Sequence, residues 1–217
     1  MLDIFNSLPI IFLLVGLAIL PLFVVTLTSF LKIAIVLFLV RNALGIQQTP
    51  PNIALYAISL ILMLYISSPV LTDIYARLNA APINFYTIEG YEEAVKRVEE
   101  PVKSYLSRFV NPNERQFFMA ATEKIWAGQT KTEVRDDDFL ILMPAFVSSE
   151  LTRAFEIGFL IYLPFLVIDL IVSNILMAMG MIMVSPTLIS IPLKLFLFVT
   201  VDGWSRLLHG LILSYGN

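Results

Sequence analysis

Long uncharged stretches bracket a polar middle segment along this chain. Three stretches contain no Asp, Glu, Lys or Arg: 4–31, 42–72 and 170–193. Each is longer than the ~20 residues with which a helix crosses the hydrocarbon core of a bilayer. The apolar pattern continues beyond Lys194 through residues 195–201, after a predicted reversal near 180–186. The pattern therefore predicts two hydrophobic helical hairpins.

A polar connection joins the two helices of the first hairpin. The helical regions cover roughly residues 10–40 and 53–71, and the segment 41–52 between them contains glycine, asparagine and two adjacent prolines, which mark a turn. The first region is longer than one membrane span. Pro21 predicts a break or kink within it, because proline lacks the backbone N–H of a helix and its ring clashes with the preceding turn.

The segment between the hairpins is polar and also helical. The chain has 14 basic and 17 acidic residues, and 23 of these lie within 73–153. Apolar residues at helical spacing predict amphipathic helices at 89–110 and 113–127. We expect Pro101 to divide the first of them and Asn111 or Asn113 to cap the second.

These patterns predict an all-α, membrane-type helical protein whose two long hydrophobic hairpins flank a small helical extracytoplasmic segment. The expected parts are an N-terminal hairpin, a soluble segment, and a C-terminal hairpin with a methionine-rich turn and an amphipathic tail: 1–72, 73–148 and 149–217. Arg41 lies in the short loop of the first hairpin, so the positive-inside rule places this loop in the cytoplasm. The middle segment then lies outside the cytoplasm.

Composition supports a membrane protein and argues against several other classes. Hydrophobic residues make up 58% of the chain and charged residues 14%, with a mean hydropathy of +0.84. The net charge of -3 provides no basic surface for nucleic acid, so we expect no nucleic-acid partner. The chain has no cysteine, no glycine-rich nucleotide motif and no paired catalytic residues. We expect no enzymatic activity, no catalytic residue, no metal and no cofactor, and we interpret the aspartates at 136–138 as helix caps.

Three charged residues interrupt the apolar stretches, namely Lys32, Asp169 and Lys194. A lone charge at the centre of a membrane helix costs about 2.5–3.5 kcal/mol on insertion scales, so each is expected to face a partner or water. Asp169 and Lys194 lie equally far from the predicted reversal, which allows them to pair. We favour a structural ion pair between helices or subunits over a proton relay, and Lys32 could also extend to the membrane interface.

Two further patterns have both an ordinary and a functional interpretation. Glu150, Arg153 and Glu156 lie along one side of a predicted helix. They are interpreted either as charges at a solvated helix end or as a contact between subunits.

Four of the eight methionines surround Gly180: Met177, Met179, Met181 and Met183. Methionine is flexible and polarizable, so this group suits a deformable apolar constriction, although it is also ordinary in membrane helices.

Residues 144–159, Pro-Ala-Phe-Val-Ser-Ser-Glu-Leu-Thr-Arg-Ala-Phe-Glu-Ile-Gly-Phe, resemble the FliP/SctR family of export-gate subunits in type III secretion and flagellar export. The resemblance continues through shorter motifs: 41–48, 50–52, 162–165, 168–170, 173–180, 184–186, 192–194 and 202–204. Residues 46–48 and 173–176 look more like the injectisome branch than the flagellar branch.

The resemblance implies a pore-forming core subunit of the type III secretion export apparatus that conducts unfolded protein substrates across the bacterial inner membrane. It implies a homo-oligomer, expected to be a pentamer, with FliQ/SctS-like and FliR/SctT-like subunits. Further implied partners are FlhB/SctU-like and FlhA/SctV-like export components, unfolded secreted proteins and membrane lipid. The multi-pass assembly is expected to lie largely at the periplasmic level, and the four methionines become candidates for its constriction.

The alternative function is a small-solute secondary transporter or channel. Such transporters usually contain two related halves with interrupted helices near the middle of the bilayer. The two hydrophobic ends of this chain share no obvious internal repeat. The sequence therefore favours the export subunit.

Overall fold

The computed structural model describes residues 4–126, 134–181 and 183–216, with the backbone alone for 4–9. The regular elements within these ranges are helices: α1 Ile4–Leu27, α2 Phe30–Ala43, α3 Asn52–Asn79, α4 Ile88–Phe109, α5 Pro112–Ile125, α6 Phe139–Ala178, α7 Pro186–Thr200 and α8 Gly203–Leu213. The predicted all-α class is confirmed.

Within the part of the chain that the structure describes, three helices are long and apolar enough to cross a membrane: α1 over Ile10–Leu27, α3 and α6. The helices α7 and α8 meet at a 62° bend and together provide a possible fourth crossing. With 40 residues, α6 extends roughly 60 Å, about twice the ~30 Å hydrocarbon core of a bilayer. A single upright crossing would therefore leave about half of α6 outside the hydrocarbon.

The predicted break at Pro21 and the predicted division of the helix at Pro101 are wrong, whereas a kink at Pro21 stays a prediction. Helix α1 continues through Pro21, and α4 continues through Pro101, which is buried. The interruption of the first region falls instead beyond the end of α1, where the Thr28 hydroxyl donates a hydrogen bond to the Val24 carbonyl and accepts one from the Phe30 N–H. The side chain of Thr28 thus replaces helix hydrogen bonds and permits the break.

The amphipathic helices of the middle segment begin at polar caps. The Thr87 hydroxyl accepts a hydrogen bond from the N–H of Gly90 at the start of α4. Asn111 caps α5 by accepting from the N–H of Asn113, and proline follows it at the first helical position. The predicted end of this second helix, Ala127, lies outside the described residues.

The chain divides into two compact units. The first consists of Met1–Leu31 and Leu64–Glu150, and the second of Lys32–Met63 and Leu151–Asn217. The three-part division predicted from the sequence concerns the location of each segment relative to the membrane, and it stays a prediction.

Aromatic contacts hold α4 within the first unit. The ring of Tyr105 packs edge-on against Phe109 at 5.1 Å between centroids and lies 6.1 Å from Phe146 of α6. Near the other end of α4, Tyr91 stacks on Phe12 of α1 at 3.9 Å. An apolar candidate span therefore docks against the charged helix of the middle segment.

Arg97 of α4 caps the end of α3. Its Nη1 donates to the carbonyl oxygens of Arg77, Leu78 and Ala81 at 3.2, 3.2 and 2.8 Å, and its Nη2 pairs with Glu93. The last carbonyls of a helix lack partners within the helix and carry a partial negative charge. The guanidinium of Arg97 gives these carbonyls hydrogen-bond donors and also places a positive charge beside them.

Replacing Arg97 by methionine is expected to destabilise the protein by about 1.5–3 kcal/mol, because the terminal carbonyls of α3 lose a charged donor. Thermal unfolding of the purified chain in detergent measures this loss. The matched control is Arg77→Met, which removes more exposed pairs with Asp73 and Glu100 and is expected to cost much less, because exposed ion pairs contribute little to stability. Equal losses in the two variants would contradict the capping role of Arg97.

The predicted turn of the first hairpin is present in the second unit, and Arg41 closes it. Its Nη1 donates to the side-chain oxygen of Asn52 and to the carbonyl of Pro50. Gly45 has a φ of +77°, and a Cβ there would lie 2.9 Å from Ile191. Glycine is therefore required in this loop. Arg41 is buried, so it has a structural role, and the orientation inferred from its charge stays a prediction.

Candidate functional site

The predicted reversal between the third and fourth hydrophobic helices begins with a Schellman motif at the end of α6. The N–H of Met181 donates to the carbonyl of Leu176 at 2.9 Å, and the N–H of Gly180 donates to the carbonyl of Met177 at 3.0 Å. Gly180 follows the helix and has a φ of +72°, the left-handed conformation that a Schellman motif requires at this position. The backbone therefore ends α6 sharply and turns the chain towards α7.

All four candidate constriction residues have exposed side chains in this chain: Met177, Met179, Met181 and Met183. The side chain of Met183 is fully exposed, at 101%. Residue 182 between them lies outside the described residues. The described part of the chain leaves these methionines exposed, and exposed apolar groups of this kind mark contact with lipid or another protein. Which of them line a constriction stays a prediction.

Asp169 of α6 and Lys194 of α7 form an ion pair, with 2.6 Å between Oδ2 and Nζ. Nζ of Lys194 also donates to the carbonyl of Ala43 at 3.0 Å, at the end of α2. The lysine side chain is 5% exposed and the aspartate side chain 39% exposed. One ammonium group thus ties three helices of the second unit together. Its importance for subunit assembly stays a prediction.

Lys32 lies on α2 and is buried, so it does not extend to a solvated interface. Its Nζ lies 3.4 Å from the centroid of the Tyr215 ring, which is also buried. Such a cation–π contact is strongest where water is excluded. Tyr215 could not be recognised from the sequence, because a lone tyrosine near the end of a chain has no distinctive pattern.

Glu150, Arg153 and Glu156 lie in the interior of α6, so the interpretation as helix-end charges is wrong. The side chain of Glu150 is fully buried, whereas Arg153 is partly exposed and Glu156 is exposed. Burial of a carboxylate requires compensating interactions within the protein. Glu150 therefore has a structural role, and a subunit contact through Glu156 stays a prediction.

No cluster of three His, Cys, Asp or Glu side chains that could hold a metal is present among the residues described by the structure. The α6–α7 turn carries exposed apolar side chains, and the ion pair between Asp169 and Lys194 joins the two helices away from the turn. Such a site is suited to packing and sealing.

Comparison with known proteins identifies relatives along nearly the whole chain. The model of the FliP family matches residues 13–211. A probable translocation protein of Sinorhizobium fredii is 55% identical over 200 residues, which cover 92% of this chain and 90% of that protein. The Yop proteins translocation protein R of Yersinia pestis is 50% identical over 201 residues, with 93% of each chain covered. The harpin secretion protein HrcR of Erwinia amylovora is 40% identical over 200 residues, with 92% of each covered.

Proposed function

This chain belongs to the FliP family, and we propose that it is a pore-forming core subunit of a type III secretion export apparatus. It would act without enzymatic activity, and several copies would surround a conduit for unfolded proteins. We propose a pentamer completed by FliQ/SctS-like and FliR/SctT-like subunits, in contact with FlhB/SctU-like and FlhA/SctV-like components. Its place would be the bacterial inner membrane, with much of the assembly at the periplasmic level.

The names of the relatives support this proposal and favour the injectisome branch. The proteins of Yersinia pestis and Erwinia amylovora are named for translocation of Yop proteins and secretion of harpin, and a relative from Salmonella typhimurium that is 46% identical is named a virulence protein. The similarity extends over almost the full length of each chain, so a shared role is a reasonable inference.

The surface of the chain supports assembly with other subunits. No residue of the apolar stretch Ile10–Leu27 is buried. Leu193, Phe196 and Val199 of α7 are exposed as well. Surfaces of this kind are covered by lipid or by protein.

The exposed methionine turn is the observation that most supports a gate. Its four flexible side chains lie in the last turn of α6 or in the turn that follows it, and all four are exposed. Several copies of the turn around one axis would supply an apolar plug that deforms for a passing polypeptide and recloses. A closed apolar constriction excludes ions by dewetting.

The mass of the purified complex tests the proposal. We expect the chain, extracted in mild detergent, to co-purify with smaller helical membrane subunits as a ring with several copies of this chain. Native mass spectrometry counts the copies directly. A monomer that retains transport of a small solute after reconstitution would contradict the proposal and favour a secondary transporter.

A further inference from the structure

A groove runs along the exposed side of α3 within the first compact unit. Five of the described residues line it: Leu64, Ser68, Leu71, Thr72 and Tyr75. Their spacing of i, i+4, i+7, i+8 and i+11 places them on one face of the helix. The groove has a volume of about 290 Å³, and its three large side chains are exposed. Apolar groups thus border two small hydroxyl residues on a helix that is apolar enough to cross a membrane.

The proline at position 69 leaves one backbone carbonyl of α3 without its helical donor. A helical carbonyl normally accepts from the N–H four residues later, and Pro69 has no N–H to donate to the carbonyl of Tyr65. Tyr65, Ser68, Pro69 and Thr72 are spaced i, i+3, i+4 and i+7, so they are neighbours on the helix surface. The carbonyl of Tyr65 therefore lies along the edge of the groove that Ser68 and Thr72 form.

The side chain of Thr72 adds a second acceptor at this edge. Its hydroxyl donates to the carbonyl of Ser68 at 2.9 Å. The single hydrogen of the hydroxyl is used in this bond, whereas its oxygen can still accept. A partner that fits this edge of the groove must therefore bring a hydrogen-bond donor.

The position of Tyr65 along α3 restricts what that partner can be. The helix has 28 residues, Asn52–Asn79, and Tyr65 lies near its middle. When α3 crosses a bilayer, the carbonyl of Tyr65 is close to the centre of the hydrocarbon, where water is excluded and an unpaired backbone group is strongly unfavourable. A lipid chain can fill an apolar groove but has no donor. A protein helix can supply both apolar side chains and an amide or hydroxyl group.

We propose that this groove is the docking site for a membrane helix of another subunit, which brings an amide or hydroxyl donor to the carbonyl of Tyr65. Apolar residues of that helix pack between Leu64, Leu71 and Tyr75, and an Asn, Gln, Ser or Thr side chain donates to the carbonyl. Pro69 specifies the contact, because it removes the internal donor and leaves the acceptor available to the neighbour. The proposal rests on the assembly proposed above, since α3 must have a neighbouring subunit.

The variant Pro69→Ala tests the contact through opposite effects on the isolated chain and on the complex. Alanine restores the N–H, so the carbonyl of Tyr65 is bonded within α3, and the unfolding midpoint of the full chain in detergent should rise by roughly 2–8 °C. Recovery of the assembled complex should fall about three- to tenfold, because the donor of the neighbour loses its acceptor. Recovery at the parental level would overturn the proposal.

A matched pair of threonine variants separates the acceptor from general effects of substitution. Thr72→Val removes the hydroxyl at nearly constant volume and should reduce recovery of the complex about threefold. The control is Thr26→Val, since the Thr26 hydroxyl makes the same kind of bond within α1, to the carbonyl of Leu22. Equal losses in the two variants would contradict the proposal. Failure of the parental chain to form any complex would instead overturn the proposed function together with this contact.

Photo-crosslinking in the native membrane identifies the occupant of the groove. With p-benzoylphenylalanine in place of Leu71, we expect an adduct with a peptide from an apolar helix that carries Asn, Gln, Ser or Thr within one turn of the attachment point. The yield of this adduct should fall several-fold when Pro69→Ala is added. An adduct with lipid alone, or a protein adduct that Pro69→Ala does not change, would overturn the proposal.

Discussion

Replacing Asp169 by alanine is expected to abolish most of the assembled complex, by leaving the ammonium of Lys194 in a nearly closed apolar environment. Removal of one partner from a buried ion pair costs about 3–5 kcal/mol. The carbonyl of Ala43 still accepts from Nζ, and the Asp169 side chain is 39% exposed, so we expect a loss at or below the lower end of this range. Recovery of the complex after detergent extraction and the unfolding midpoint of the isolated chain measure the loss.

Replacing the partner residue, Lys194→Met, is expected to have a milder effect, because the Asp169 side chain that it leaves unpaired is 39% exposed. The double variant Asp169→Ala/Lys194→Met removes both charges and is expected to recover part of what Asp169→Ala loses. Strictly additive losses in the double-mutant cycle would show that the pair does not contribute as a unit. As a control, Glu99→Ala breaks the pair with Lys103, whose side chain is 19% exposed against 5% for Lys194, with an expected cost of about 0–1 kcal/mol.

Replacing Met181 and Met183 together by alanine is expected to make the closed complex leak ions. The change removes flexible apolar volume from two exposed side chains of the α6–α7 turn, whereas replacement by leucine roughly preserves that volume. Conductance of cells carrying the alanine variant should rise severalfold, and that of the leucine variant should stay near the parental level. The backbone hydrogen bonds that end α6 involve no methionine side chain, so assembly should persist.

Met119→Ala provides the control for this experiment, since Met119 lies on α5 in the middle segment. It should leave the conductance unchanged. Normal assembly combined with parental conductance in the Met181→Ala/Met183→Ala variant would show that the turn only packs against its surroundings. The seal would then have to come from another subunit.

Local signals predicted the elements that depend on local chemistry. Gly180 marked the reversal after α6, and Asn111 was one of the two caps predicted near the start of α5, because a left-handed conformation and a helix cap each favour a few residue types. The pairing of Asp169 with Lys194 also followed from their equal distance from the turn.

Contacts between distant segments determine several features of the fold that local sequence patterns could not predict. Pro101 carries a high intrinsic cost inside a helix, yet it is buried within a continuous α4. The burial of Glu150 depends on elements far away in the sequence. The partners of Lys194 and Arg97 include backbone carbonyls, and a carbonyl acceptor is identical at every residue, so no sequence pattern could point to it.

The use of backbone carbonyls to bind these two cations makes their contacts tolerant of acid. Acidification protonates carboxylates and removes their attraction for lysine and arginine, but an amide carbonyl does not titrate in this range. Arg97 has three such acceptors at the end of α3, and Lys194 has one at the end of α2. The ends of α3 and α2 are therefore each held by a contact whose acceptor does not titrate.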